Sequence, residues 1–148
     1  MTHRALGCAW IGMMLLAALA LAPLGAMAQK GGKDTELEKH MEAMDDHFKV
    51  LKKDVKDAAK NASSLEHVIE MQKQAIHCKL EKPKMTATLP EAERAKFALE
   101  FRKQLIVLEH KLRDLEMALL DNDNARAADV YKELEKIQDA GHEKFTNE

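Results

Sequence analysis

The sequence predicts an all-α protein, an antiparallel up-down-up-down four-helix bundle that follows a cleaved signal peptide. Helix-forming Glu, Lys, Ala, Leu and Met dominate the chain after residue 28, whereas Gly and Pro are few there and β-branched runs are absent. Apolar residues recur at alternating spacings of four and three within several segments, which is typical of packed bundle helices. Turn-forming residues separate those segments. These three observations together predict the fold class.

Residues 1–28 have the features of a signal peptide. His3 and Arg4 precede an apolar run from Trp10 to Leu24, and Ala26-Met27-Ala28 offers a small-x-small cleavage site. The run is too short, and too closely followed by polar sequence, to be a membrane span. We therefore expect an exported protein without a membrane anchor, located in the periplasm if the source is a bacterium.

The predicted mature domain, residues 29–148, has a length that suits a single core. The whole chain has 23 basic and 25 acidic side chains, and loss of Arg4 with the leader gives a net charge of about −3 (22 minus 25). No basic stripe is present, so we predict no nucleic-acid partner.

Cysteine content limits the covalent chemistry of the mature domain. Cys8 precedes the apolar run, so it is not the lipid-bearing cysteine of a lipoprotein signal. Cys78 is then the only mature cysteine, which excludes an intramolecular disulfide. We expect a monomer with a free, partly buried thiol, although one cysteine permits a disulfide-linked dimer in an oxidising compartment. Because no Cys-x-x-Cys-His sequence occurs, covalent haem attachment is excluded.

The first two helices are predicted from their apolar faces and caps. Asp34 and Thr35 can cap the first helix. Its apolar face comprises Leu37, Met41, Met44, Phe48, Leu51, Val55 and Ala58. Asn61, Ser63 and Ser64 interrupt that pattern and can cap a second helix. Its predicted apolar face comprises Leu65, Val68, Ile69, Ile76 and Leu80.

The second half of the chain repeats this organisation. A looser connection, Glu81 to Leu89, leads to Pro90 at the first position of the third helix. That helix has the apolar face Phe101, Leu105, Leu108, Leu112, Leu115 and Leu119. A turn follows at residues 121–124. The fourth helix begins near Ala125 and has the apolar face Ala127, Val130, Leu134, Ile137 and Gly141.

Met41 and His142 are the candidate ligands of a prosthetic group. In an up-down-up-down bundle the first helix begins where the fourth ends, so both side chains should lie roughly 10 Å from the same end, at about 1.5 Å per residue. A thioether and an imidazole facing each other are the Met/His axial ligands of an electron-transfer haem. The same end should hold Leu37, Met44, Phe97, Phe101 and Phe145, an apolar lining for a flat macrocycle. The alternatives are ordinary: methionine is a common core filler, and His142 flanks the apolar stripe near a chain end.

The segment LEKHMEAMDDHFKV, Leu37 to Val50, closely resembles the first helix of the cytochrome b562 family. The stretch around Lys79-Leu80-Glu81, the proline-bracketed loop, Phe101-Arg102 and the closing Ala140-Gly141-His142-Glu143-Lys144-Phe145 follow in the same order. The resemblance implies one non-covalent b-type haem with Met41 and His142 as axial ligands. It covers nearly all of residues 29–148, but only the first helix and the last turn are specific.

The chain departs from the family pattern at two places. The middle loop is several residues longer, which leaves open whether Phe97 or Phe101 takes the main haem-facing role. Gln138 stands one turn before His142, where the family can have a basic residue, and this puts the electrostatics near the haem in doubt.

We therefore predict a periplasmic electron-transfer haem protein, with redox proteins of unknown identity as its partners. No nucleophile–base pair, glycine-rich phosphate loop or paired carboxylates occur in the sequence, so no enzyme is predicted. The alternative is a haem-free exported adaptor or chaperone, or a bundle that holds a soft metal. His40, Met44 and His47 are compatible with copper, but we expect both histidines to face solvent and Met44 to pack inward. His77 and Cys78 are adjacent on a helix, so they point in different directions.

Overall fold

The computed structural model describes residues 35–146, and this part of the chain is all-helical, without a strand. The predicted signal peptide, residues 1–28, lies outside the described residues. The helices are α1 (Glu36–Asp54), α2 (Asn61–Cys78), α3 (Met85–Thr88), α4 (Glu91–Leu120) and α5 (Asn124–Phe145), with a 3-10 turn at Ala58–Lys60. Among the described residues, no helix combines the length and the apolar character needed to cross a membrane.

Helix α1 begins with a complete capping box. The backbone N–H of Glu38 donates to the Thr35 hydroxyl, and the Glu38 carboxylate accepts from the Thr35 backbone N–H at 2.8 Å. The helix ends at Asp54, so the predicted extension of its apolar face to Ala58 is wrong. Ala58 is exposed in the 3-10 turn, which the Asp57 side chain caps. An alanine offers too little apolar surface to hold another turn against the core.

Helix α2 buries a different face from the predicted one. Its buried residues are Asn61, Ser64, Val68, Met71, Ala75 and Cys78, whereas Ile69, Ile76 and Leu80 are exposed. The predicted side-chain cap is also absent, since the N-cap residue is Lys60 and it makes no capping bond. Val68 is thus the only fully buried residue of the predicted face. The burial of smaller side chains indicates that the space available to α2 selects the packed face.

The connection between α2 and α4 is more ordered than predicted. It contains the single helical turn α3, and the Arg94 guanidinium donates to the carbonyls of Ala87 and Leu89 beside it. Pro90 is the N-cap of α4 rather than its first residue. The predicted apolar face of α4 is confirmed, because five of its six members are buried and Leu108 packs against them.

The turn between α4 and α5 is tied to the turn between α1 and α2. Asn122 adopts a left-handed conformation with φ 56°, which asparagine tolerates better than most residues. The Asn61 amide donates to the side-chain oxygens of Asn122 and Asn124 at 3.0 and 3.3 Å. The Asn124 amide donates to the carbonyl of Val55 at 3.0 Å. Side-chain amides therefore join two turns that are distant in sequence.

Contacts between neighbouring helices indicate that the helices run in opposite directions. Gln72 of α2 contacts Glu116 of α4, and Lys79, the residue directly after α2, contacts Glu109 of α4. Similarly, the Tyr131 hydroxyl of α5 donates to the Phe48 carbonyl of α1, and the amide of Gln138, farther along α5, donates to the Asp45 carboxylate. The buried apolar residues of the long helices form one core cluster, which extends to Phe145 near the end of α5.

Candidate functional site

A cavity of about 400 Å³ opens where α1 begins and α5 ends. Its volume lies within the range of roughly 300–1,000 Å³ that is usual for ligand and cofactor sites. Residues of α1, α2, α4, α5 and the connection around α3 line it. The lining is mainly apolar and includes Leu37, Met41, Met44, Phe48, Met71, Phe101, Leu105, Leu108, Leu134 and Ile137.

Met41 and His142 line this same cavity. Met41 is half-buried against the core, and His142 is exposed at the surface but borders the cavity from α5. Within the described residues the His142 imidazole makes no hydrogen bond, so its ring nitrogens remain available to a ligand. The structure thus brings together two residues that are 101 positions apart in the chain.

Of the other predicted site residues, Leu37, Met44 and Phe101 line the cavity and Phe97 does not. Phe97 packs edge-on against Phe145 with ring centroids 5.2 Å apart. Phe101 also packs edge-on against Phe145 at 5.2 Å. Phe101 and Phe145 are therefore the aromatic residues in contact with the cavity at this end, and Phe97 packs against Phe145 outside the lining.

A polar group borders the cavity near His142. The Gln138 amide donates to the Asp45 carboxylate at 3.0 Å, and Lys49 pairs with the same carboxylate at 2.7 Å. The hydrogen bond from Lys49 is the main cause that lowers the pKa of Asp45, and the nearby charge of His142 contributes least. Asp45, Gln138 and His142 all line the cavity. On this side the cavity is therefore bordered by a neutral amide and by a carboxylate that is paired with Lys49.

A second polar contact connects the start of α1 with the segment before α3. Lys84 and Glu38 form an ion pair at 2.6 Å, and both residues border the cavity. The hydrogen bond from Lys84 lowers the pKa of Glu38, and the capping contacts with Thr35 lower it further. The ion pair holds the middle connection beside the cavity.

Several lining residues were not among the predicted site residues. Phe48, Leu105 and Leu134 belong to predicted apolar faces. Their spacing predicts that they are buried, but it does not indicate which buried residues border a cavity. Met71 was missed because the wrong face of α2 was predicted. Met85 lies in the middle connection, which was expected at this end of the bundle, but its helical turn and its place in the lining were not predicted.

The three residues of the copper alternative, His40, Met44 and His47, have different surroundings in the structure. Met44 lines the cavity, whereas both histidines contact α2 and are half-buried. The His40 ring stacks on His77 with centroids 4.8 Å apart, and its Nδ1 lies 2.6 Å from the Gln74 side-chain oxygen. Among the described residues no group of three or more His, Cys, Asp or Glu side chains could hold a metal ion.

Comparison of the chain with protein-family models, with curated proteins and with solved structures found no match. The resemblance to the cytochrome b562 family therefore remains a prediction that rests on the residues of this sequence.

Proposed function

We propose that this protein is a periplasmic electron-transfer protein that binds one non-covalent b-type haem within an up-down-up-down four-helix bundle. Met41 sulfur and a ring nitrogen of His142 are the proposed axial ligands. One observation supports the proposal above all others: both residues line a single, mainly apolar cavity. A flat macrocycle needs such a lining, and a six-coordinate electron-transfer haem takes one donor on each face.

The side chains around the cavity suit this group in type and position. Thioether and imidazole are both established haem ligands, and their combination favours the reduced iron and raises the potential. When bound, haem would supply a one-electron iron couple. Because Met41 and His142 would occupy both axial positions, the protein would leave no open site for oxygen chemistry. Leu37, Met44 and Phe101 would exclude water from the macrocycle.

A haem titration tests this proposal. The haem-free full chain is mixed with haem, and visible spectra are recorded in the oxidised and reduced states. We expect saturation at one equivalent and a sharp, low-spin reduced spectrum. Met41→Ala and His142→Ala should each abolish the low-spin spectrum, because each removes one axial donor. Met117→Ala and His110→Ala are matched controls on the exposed surface of α4 and should behave as the wild type.

Two outcomes would count against the proposal. The first is a folded protein that takes up no haem at stoichiometric concentration. The second is a low-spin spectrum that survives both ligand substitutions, since haem would then be bound elsewhere. Far-UV circular dichroism of each variant separates loss of a ligand from loss of the fold.

A second candidate function, a haem-free interaction module, is favoured by a different observation. Exposed large apolar residues lie on α2, just after it and on α4: Ile69, Ile76, Leu80, Leu99, Ile106, Val107, Met117 and Leu120. Leu80 and Leu99 line one shallow depression. Apolar side chains that share a surface depression, as Leu80 and Leu99 do, offer a contact for another protein. Colourless protein that ignores added haem would favour this candidate.

A further inference from the structure

His47 of α1 and His67 of α2 direct ring nitrogens at one another across the boundary between the two helices. Their Nδ1 atoms are 2.8 Å apart, and the ring centroids are 5.1 Å apart. Both residues are half-buried, so helix packing limits the positions that the rings can take. This pair lies apart from the haem cavity, since neither histidine lines it.

The protonation of the pair follows from imidazole chemistry. A neutral ring has one N–H donor and one acceptor nitrogen, so one Nδ1 donates and the other accepts at this distance. When the two rings have opposite tautomers, their Nδ1 atoms satisfy each other without water. The donating ring can move its proton from Nδ1 to its own Nε2 atom. Both Nδ1 atoms then have a free lone pair, and no proton is released.

Two such nitrogens match the bond lengths of a first-row metal ion. Metal–nitrogen bonds to histidine are about 2.0–2.1 Å. Two bonds of about 2.05 Å to nitrogens 2.8 Å apart enclose an angle of about 86°. An angle near 90° is that of neighbouring ligands in tetragonal copper(II). Tetrahedral zinc would require the rings to move apart, because its ligand angles are wider.

A carboxylate lies close to the pair. Glu70 is one turn after His67 on α2, and the charge of His47 is among the causes that lower the Glu70 pKa. The hydrogen bond from Lys73 is the larger cause, and the two side chains form an ion pair at 2.6 Å. Glu70 therefore adds negative charge near the nitrogens, while its Oε1 atom is paired with Lys73.

We propose that His47 and His67 form a binding site for one copper(II) ion, which joins α1 to α2 through their Nδ1 atoms. Water or small anions complete the coordination. The site does not depend on the proposed haem, because it shares none of the residues that line the haem cavity. It also differs from a site on α1 alone, since one of its two donors comes from α2.

Copper(II) sulfate titrated into the full chain tests the site. The background variant is His3→Ala with Cys8→Ser, so the leader contributes no histidine or cysteine ligand. We expect one equivalent bound, with an electron paramagnetic resonance spectrum showing nitrogen ligation. His47→Asn and His67→Asn should each lower the copper affinity by more than roughly 10-fold. Even the loss of a residue that only supports a metal ligand lowers affinity by about that factor. His110→Asn, exposed on α4, is the matched control and should leave the affinity unchanged.

Other outcomes would overturn the site. Copper binding that survives both substitutions, or that is lost in His40→Asn or His77→Asn instead, places the ion elsewhere. No binding at stoichiometric copper removes the site altogether. If a histidine variant fails to fold, NMR of the background protein replaces it as the test. Added copper(II) must then broaden the imidazole signals of His47 and His67 before those of the other histidines. Met41→Ala leaves copper binding unchanged even if it abolishes haem binding, so the two proposals can fail separately.

Discussion

Cys78 illustrates how burial decides the chemistry of a single side chain. The sequence predicts a free, partly buried thiol that could still link two chains. In the structure the side chain is free and fully buried, with 0% of its surface exposed. Burial raises the pKa of the thiol to about 12, because the thiolate loses its hydration. A disulfide with a second copy would require α2 to separate from its neighbours.

We accordingly expect the thiol of Cys78 to be inert in the folded protein. An aromatic disulfide reagent at pH 8 should label it only after denaturant is added, since the thiolate is the reactive species. Absorbance of the released product measures the labelling. The Cys78→Ala variant retains Cys8 and reports the labelling of that residue alone. Rapid labelling of a second thiol under native conditions would show that the burial is wrong.

The two histidines of α1 show that contacts with another helix decide how far a side chain is buried. Their spacing placed them beside the apolar face, and the expectation that they face solvent is wrong. His40 and His47 are half-buried because α2 supplies partners for both rings. No pattern within α1 contains this information, since the partners lie 20 or more positions away in the sequence.

Among the helices, α2 is the one whose buried face was predicted wrongly. It has two apolar stripes, one with Ile69 and Ile76 and the other with Val68, Met71 and Ala75. Hydrophobicity favours the stripe with the larger side chains, yet that stripe is the exposed one. The faces of α1 and α4 were predictable because each has only one continuous stripe of large residues. Where two stripes compete, the shape of the neighbours decides.

Helix α5 offers a test of the space beside the cavity. Gly141 is helical and borders the cavity, and a Cβ atom added there meets nothing within 4 Å. Gly141→Ala should therefore stabilise the haem-free protein by up to about 1 kcal/mol, because alanine loses less backbone entropy in a helix. Urea denaturation followed by circular dichroism measures the change.

A bulky residue at the same position separates stability from cofactor binding. Gly141→Leu should leave the fold intact but lower haem affinity, since its side chain occupies space next to His142. The alanine variant is the matched control, with the same backbone change and less volume. Equal haem affinities for the leucine variant and the wild type would show that the cofactor does not approach this residue.

For the whole molecule, ion pairs around the cavity predict how stability depends on pH. The pKa values of Glu38 and Asp45 are lowered in the folded state by Lys84 and Lys49, respectively. An acid with a lowered folded-state pKa contributes stability above its unfolded pKa and loses it as pH falls through the folded value. Both side chains are more than a third exposed, so water screens much of the effect.

We expect the thermal midpoint of the haem-free protein to stay level from about pH 7 to pH 5 and to fall below about pH 4.5. Differential scanning calorimetry across this range measures it. The double variant Asp45→Asn and Glu38→Gln should show a shallower fall, because it lacks two of the responsible carboxylates. A midpoint that rises between pH 5 and pH 3 would contradict the assigned shifts.

By itself the sequence determined the helical class and the apolar faces of α1 and α4, because local periodicity and composition act within one helix. It also singled out Met41 and His142 as a candidate pair, from the expected order of the helices and from the family resemblance. The tertiary structure decided which stripe of α2 is buried, which phenylalanine borders the cavity and which histidines meet. Those outcomes depend on volumes and contacts between segments distant in sequence, and packing fixes them only when all helices are present.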